Sequence, residues 1–306
     1  MNTHIAYLIS AHADPSQLLR LISALHHEAH FFIHIDKKSD LSCFTSIIRG
    51  NNIHFIADRV DVRWGTLIEV EYQMRLIKAA IDYPQHFDRI FFLSGMDYPL
   101  WSNERISKWI DQLGDREMLS GINMNTSFIQ GQQRELYTLP RPLFTVSGIS
   151  GRWNQRLSIL CRRACKLLGV RKHLSFTVDD CRWDLYKGSA WWCITQELAE
   201  HIFNTYSSTP AIRSYFISSF GQAETLIQTI AFNSPQWRDR CLLHEGEYPG
   251  LEALTPLHFI IYQPVIKVMD EADFDTLIQS GRMFTRKLVS GKSDKLVERL
   301  IEHRKD

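Results

Sequence analysis

The feature that most constrains this chain is the rhythm of its first hundred residues. Ile5–Ile9, Phe31–Ile35, Ile53–Ile56 and Arg89–Leu93 read as strands, and amphipathic segments lie between them. From Ser16 to Glu28, Leu18, Leu19, Leu21, Ile22 and Leu25 share one helical side. Between Thr66 and Tyr83, Leu67, Val70, Met74, Ile77 and Ile81 recur at helical spacing. Apolar strands alternating with such helices predict an α/β fold, a mostly parallel sheet covered on both faces. Ligands of such sheets gather beyond the carboxyl ends of the strands. His12, Asp36 and Asp97 fall at those ends and are candidates for a cleft.

Several chemistries lack their signatures. No G-x-x-x-x-G-K-[ST] loop is present, and no G-x-G-x-x-G opens a helix after the first strand, which removes the main support for kinases and dinucleotide dehydrogenases. No G-x-S-x-G elbow supports an α/β-hydrolase. Lys+Arg 35 against Asp+Glu 34 leaves a formal charge of +1, so the global charge of a nucleic-acid binder is absent and no nucleic-acid partner is expected. The six cysteines form no C-x-x-C pair and read as free thiols of a reducing compartment. The N-terminal stretch has no basic region ahead of its apolar run, and no window is long and apolar enough for a membrane span, so a cytoplasmic location is expected.

Metal-site text is also sparse. His26-His27-x-x-His30 reads as surface residues, and His34 as a satisfied interior histidine. A D-x-D pair occurs only as Asp273-Phe274-Asp275, where it looks like a helix start whose acids accept free N–H groups. No metal ligand is assigned.

The second half is less regular. Residues 120–150 carry loop chemistry, and nine Arg/Lys against one acid lie between Arg134 and Lys172. There Trp153, Leu157, Leu160, Ala164 and Leu168 form one side of a basic amphipathic helix. Such a helix either packs that side on the core and leaves a solvated basic face, or meets an anionic membrane surface or acidic acceptor. Ser189–Thr195 reads as a strand, helices follow from Glu197 and at Gln222-Ala223-Glu224, and a further pattern runs from Asp273 to the end.

Seven stretches, taken together and in order, resemble the core-2/I-branching N-acetylglucosaminyltransferase and peptide O-xylosyltransferase family, in a bacterial-type version. They are AYLISAHADPSQLLRLISAL, FFIHIDKKSD, VRWGTLIEVE, FFLSGMDYPL, KGSAWWCITQELAEHI, GQAETLIQTIAFNS and DFDTLIQSGRMFTRKL, spread over residues 6–288. The resemblance implies a single GT-A-like glycosyltransferase domain over 1–306, with a nucleotide-binding half near 1–115 and an acceptor and catalytic half over 116–306. It also implies inverting transfer from a UDP-sugar without a metal ion or other cofactor. In that chemistry, cationic side chains must stabilise the departing diphosphate. The resemblance assigns this to Lys287 first and Arg286 second. It implies that Glu224 is the catalytic base that deprotonates the acceptor hydroxyl. His12, Asp36 and Trp64 are expected around the nucleoside, with Asp36 accepting from the uracil N–H. Asp97, Trp191 and Trp192 are expected to line the sugar and acceptor cleft, although strand alternation should send one of the two tryptophans into the core.

One position departs from the family pattern. The resemblance implies a second diphosphate-binding arginine in an upstream strand, and His258 takes its place here, in Leu257-His258-Phe259-Ile260-Ile261-Tyr262, as a candidate nucleotide-sugar contact. Histidine donates a hydrogen bond but is only partly charged at neutral pH. Ala190, where xylosyltransferases carry an aspartate, leans the donor toward UDP-GlcNAc, with xylosyl or another sugar as the alternative. The expected acceptor is a glycan or lipid-linked glycan of a bacterial surface polysaccharide, and the basic helix would hold the protein at the inner leaflet of the cytoplasmic membrane. A non-catalytic nucleotide-sugar-binding protein is the reading from another class.

Overall fold

The computed structural model describes residues 3–63, 65–127, 132–141, 151–263 and 265–305. Strands and helices alternate at first as the apolar pattern requires: β1 (Ile5–Ala11), α1 (Pro15–Ala24), β2 (His30–Ile35), α2 (Ser42–Thr45), β3 (Ile53–Phe55), α3 (Ile68–Ile81) and β4 (Arg89–Ser94). Then follow β5 (Asp97–Pro99), α4 (Asn103–Leu113), β6 (Ser120–Asn123), α5 (Gln132–Thr138) and α6 (Gly151–Leu167). Shorter strands come next: β7 (Ser175–Val178), β8 (Cys181–Asp184), β9 (Tyr186–Gly188) and β10 (Cys193–Ile194). The helices α7 (Gln196–Ser208), α8 (Pro210–Phe216), α9 (Leu226–Asn233) and α10 (Pro235–Arg238) precede β11 (Leu242–His244), β12 (His258–Ile260), β13 (Tyr262–Gln263) and β14 (Val265–Ile266). The chain closes with α11 (Phe274–Gln279), β15 (Phe284–Arg286) and α12 (Asp294–His303).

The central sheet has the order β10-β4-β1-β2-β3. Its four early strands are parallel, and β10 joins β4 antiparallel. This is the mostly parallel, helix-flanked α/β sheet that the apolar pattern predicts. Period-two alternation divides its side chains between two cores. Ile5, Tyr7, Ile9, Phe31 and Phe91 meet Leu18 and Leu21 of α1 and Ile106 and Ile110 of α4. Ala6, Leu8, Phe32, Ile90 and Phe92 meet Val70 and Ile77 of α3 and Leu198 and Ile202 of α7. Helix α1 begins where Asp14 accepts from Gln17 N at 3.0 Å and Pro15 takes the first helical position. It stops at Ala24, short of the apolar periodicity, because Leu25 turns extended and its N–H bonds Ile22 O.

Two smaller sheets bring later segments to the strand ends. One is β11-β6-β9, and the other, β12-β15-β5, lays the C-terminal β15 antiparallel against β5 just beyond β4. A third core of Tyr98, Leu100, Met269, Leu277, Leu288, Leu296 and Leu300 secures that attachment. The expected strand Ser189–Thr195 contracts to Cys193–Ile194. Trp192, proposed to face the sugar cleft, is instead fully buried and stacks on Phe92 at 5.4 Å between centroids. It is a core residue. The Asp273-Phe274-Asp275 text does begin a helix: Asp270 and Asp273 form a reciprocal capping box, and Asp273 also accepts from Lys267 Nζ at 2.5 Å.

Close packing of β9 on β6 requires a glycine at 188. Gly188 lies opposite Gly121, and a Cβ added to Gly188 would stand 1.8 Å from Ser120 O. Gly188→Ala should therefore shift β9 and destabilise the fold by about 1–3 kcal/mol or more, read as a lowered urea midpoint. An unchanged midpoint would contradict this register.

Candidate active site

The carboxyl end of β4 holds the most buried charge of the site. Asp97 has 0% exposure. Its Oδ2 accepts from Ser94 N at 2.7 Å and lies 3.1 Å from His258 Nε2, while Arg286 Nη1 donates to Oδ1 at 3.2 Å. Burial alone would raise the Asp97 pKa, but His258, Arg286 and the Ser94 N–H outweigh it and hold the carboxyl below its ordinary range. Asp97 thus does not line the sugar cleft; it is the internal anchor of Arg286. His258 is also withdrawn from the expected diphosphate contact. It is 1% exposed and lies between the rings of Trp191 and Phe284, at 5.3 and 5.2 Å. A ring enclosed in this way positions Asp97 and does not touch a ligand from the solvent side.

Arg286, at the end of β15, remains partly exposed, with its guanidinium 5.4 Å from the Trp191 ring centroid. That contact gives the partly exposed Trp191 a place at the cleft, unlike its neighbour. Lys287 is half-buried, and its pKa is lowered first by burial and then by Arg286 and Lys292. His12, just past β1, is likewise lowered by desolvation, then by Arg286 and Lys287, with Asp36 opposing. The structure therefore gathers His12, Arg286 and Lys287 into one electropositive cluster that a bound anion would relieve. Asp36 closes β2, nearly buried; its Oδ2 is 2.9 Å from Lys38 Nζ and its Oδ1 accepts from Lys38 N at 3.0 Å. Trp64 lies outside the described residues.

Glu224 stands on a 3-10 turn, Gln222–Glu224, two residues ahead of α9 and not within it. Gly221, at φ 63°, supplies the left-handed residue that starts the turn, and the buried Gln222 ties it down by donating to Ser219 O at 2.8 Å. Glu224 is partly exposed, and its Oε2 accepts from Lys187 Nζ at 3.0 Å. Lys187 is nearly buried on β9. Burial disfavours its charge, yet Glu224, Tyr137 and Tyr248 more than offset this and raise its pKa. Sequence reasoning missed Lys187, which stands on a strand of three residues, too short to show a period.

A second carboxyl was missed as well. Glu69, on the first turn of α3, accepts from Gly65 N at 2.7 Å. Burial pushes its pKa up to about 7, with the Glu224 charge adding to the rise and Gly65 N–H and Arg141 opposing it. Tyr262 joins the two ends of the site. Its hydroxyl is raised first by burial, then by Glu224, and lowered by Arg286 and Lys187. A carboxylate paired with a buried lysine and the cation Arg286 thus both lie near enough to Tyr262 to act on its hydroxyl, a layout suited to moving a proton at one end and holding an anion at the other.

The sequence model described as Core-2/I-Branching enzyme matches residues 5–249. The chain belongs to the core-2/I-branching enzyme family. Among similar curated proteins, xylosyltransferase 2 of Rattus norvegicus is 26% identical over 240 residues, covering 76% of this chain and 25% of its own length. Xylosyltransferase 2 of Mus musculus is 26% identical over 242 residues, with the same two shares. The chain spans about a quarter of the length of these relatives. Among solved structures, the 4-diphosphocytidyl-2C-methyl-D-erythritol synthase of Anaerococcus prevotii aligns with TM-score 0.38 and 15% identity over 80% of this chain and 88% of that one. The apo bifunctional glycosyltransferase WbbM aligns with TM-score 0.37 and 9% identity over 99% of this chain and 50% of that one.

The displaced pKa of Glu69 has a definite sign in stability. The folded state holds its proton from the ordinary glutamate value of 4.5 up to about 7, while the unfolded state has released it. This group therefore lowers stability as pH rises across that window and adds no slope beyond it. Glu69→Gln should remove that slope from denaturation midpoints measured between these pH values. An identical slope in the variant would assign it to other groups.

Proposed function

We propose that this core-2/I-branching family member is an inverting glycosyltransferase that moves a sugar from a UDP-sugar to a glycan hydroxyl without a resident metal ion, forming a β linkage. The observation that carries the reading is the juxtaposition of Glu224, held by Lys187, with the cluster of Arg286, Lys287 and His12. The acceptor oxygen attacks the anomeric carbon as the bond to the β-phosphate oxygen breaks, and Glu224 takes the hydroxyl proton. Lys187 holds the Glu224 carboxylate in place through its ion pair before that transfer. The diphosphate gains negative charge as it leaves, and Arg286 and Lys287 stand where cations would stabilise it. Arg286 suits the task because Asp97 fixes one side of its guanidinium, so less rotamer freedom is lost on binding.

UDP-GlcNAc is the donor favoured by Ala190 with Glu224. UDP-xylose is the second reading, favoured by the names of the curated relatives. The proposed acceptor is a glycan, free or lipid-linked, of a bacterial surface polysaccharide, reached from the cytoplasmic side.

The test is UDP release from UDP-GlcNAc and from UDP-xylose, each with and without EDTA. The expected outcome is faster, EDTA-insensitive release from UDP-GlcNAc, reduced about 10²–10⁴-fold in kcat by Glu224→Gln. Lys287→Ala should weaken donor binding and raise KM. Faster release from UDP-xylose would select the second donor, and loss of turnover in EDTA would reject the metal-free mechanism. No turnover of either donor, despite binding, would favour the non-catalytic reading.

A further inference from the structure

Helix α6 is mounted in the reverse of the usual sense. At 3.6 residues per turn, Trp153, Leu160, Ala164, Leu167 and Leu168 share one side, and Ser158, Arg162 and Lys166 lie opposite. A helix on a globular protein normally buries its apolar side. Here the polar side faces the protein: Lys166 Nζ is 2.6 Å from Glu135 Oε1 of α5, and Ile159, Arg162, Lys166 and, at its outer edge, the exposed Arg163 line a groove with Leu136 and Leu139. The apolar side faces solvent, with Leu167 88%, Leu168 78%, and Trp153 and Leu160 each 58% exposed. The expectation of an apolar side packed on the core and a solvated basic face is overturned.

Charge indicates what covers this surface. Residues 152–172 contain seven Arg/Lys and no Asp or Glu. Arg156 and Arg163 border the apolar stripe, and Arg156 lies over the Trp153 ring at 5.1 Å. A second copy of this face would oppose cations to cations. Leucines and a tryptophan flanked by arginines instead match a lipid bilayer with anionic head groups, where the apolar stripe enters the acyl boundary and the arginines stay among the phosphates. We propose that α6 is a peripheral membrane-docking helix specific for anionic lipid. Arg141 lies between α6 and Glu69: a Cβ added to Gly65, whose N–H donates to Glu69, would stand 2.6 Å from the Arg141 Nη1, and the Arg141 pKa is lowered first by burial and then by Arg162 of α6. Docking would therefore place the acceptor side of the cleft at a bilayer surface.

Flotation of the full chain with vesicles tests this, and because it reads lipid binding and not sugar transfer, it can fail without touching the catalytic reading. The protein should float with phosphatidylcholine vesicles containing phosphatidylglycerol, should not float with phosphatidylcholine alone, and should be released by salt. Leu160→Ser with Leu167→Ser should reduce binding by about tenfold or more, because each removes apolar area that would enter the lipid. Arg156→Gln with Arg163→Gln should reduce it by a similar factor. These side chains are exposed, so thermal melts of the variants should match the parent. Absence of flotation with the anionic vesicles at low salt would overturn the proposal, as would unchanged binding by the leucine variant. A concentration-dependent dimer abolished by the same leucine changes would assign the face to a second copy instead.

Discussion

A carboxylate sealed from water organises the charged end of this molecule. Ionised Asp97 is tolerable in the interior only because a histidine ring, a guanidinium and a backbone N–H all meet it. Those partners come from three separate places in the chain, so one buried charge fastens the end of β4 to β12 and β15. Removing either side-chain partner from such an arrangement commonly costs about 3–5 kcal/mol, since the remaining charge stays in low dielectric. The same contact fixes the Arg286 guanidinium, so a cation proposed to meet the donor is held by an interaction that also secures the fold.

At the other end, polarity is managed differently. Lys187 keeps its charge in a buried strand because Glu224 and two tyrosines face it, while Glu69 is driven toward its neutral form nearby. Glu69 therefore holds a proton close to neutrality, beside a Glu224 that is engaged by Lys187. Tyr262, sensitive to Glu224 and Arg286 alike, lies where the two regimes meet.

The early half was legible because parallel strands buried on both faces leave continuous apolar runs, as in Phe31–Ile35 and Arg89–Leu93. Beyond Pro99 the strands shrink to between two and four residues, too short to show a period. Lys187 on a three-residue strand therefore offered little pattern. His258 was recognised as unusual, but its enclosure between two rings belongs to tertiary packing. Alternation at Trp191-Trp192 correctly required one buried ring; which one depended on the strand narrowing to Cys193–Ile194. For α6 the amphipathic stripe was plain, and its direction was not, because periodicity identifies a side without saying what it faces.

The C-terminal strand also defines how much chain the site needs. The family match ends at residue 249, yet Arg286 and Lys287 lie on β15 and just after it. A fragment trimmed to that limit would retain Lys187 and Glu224 but discard both cations and His258, leaving Asp97 an interior anion with no counter-ion. The smallest piece that keeps Glu224 together with these cations therefore extends past the end of the family match, and surveys that compare relatives only inside that match would be blind to Arg286, Lys287 and His258.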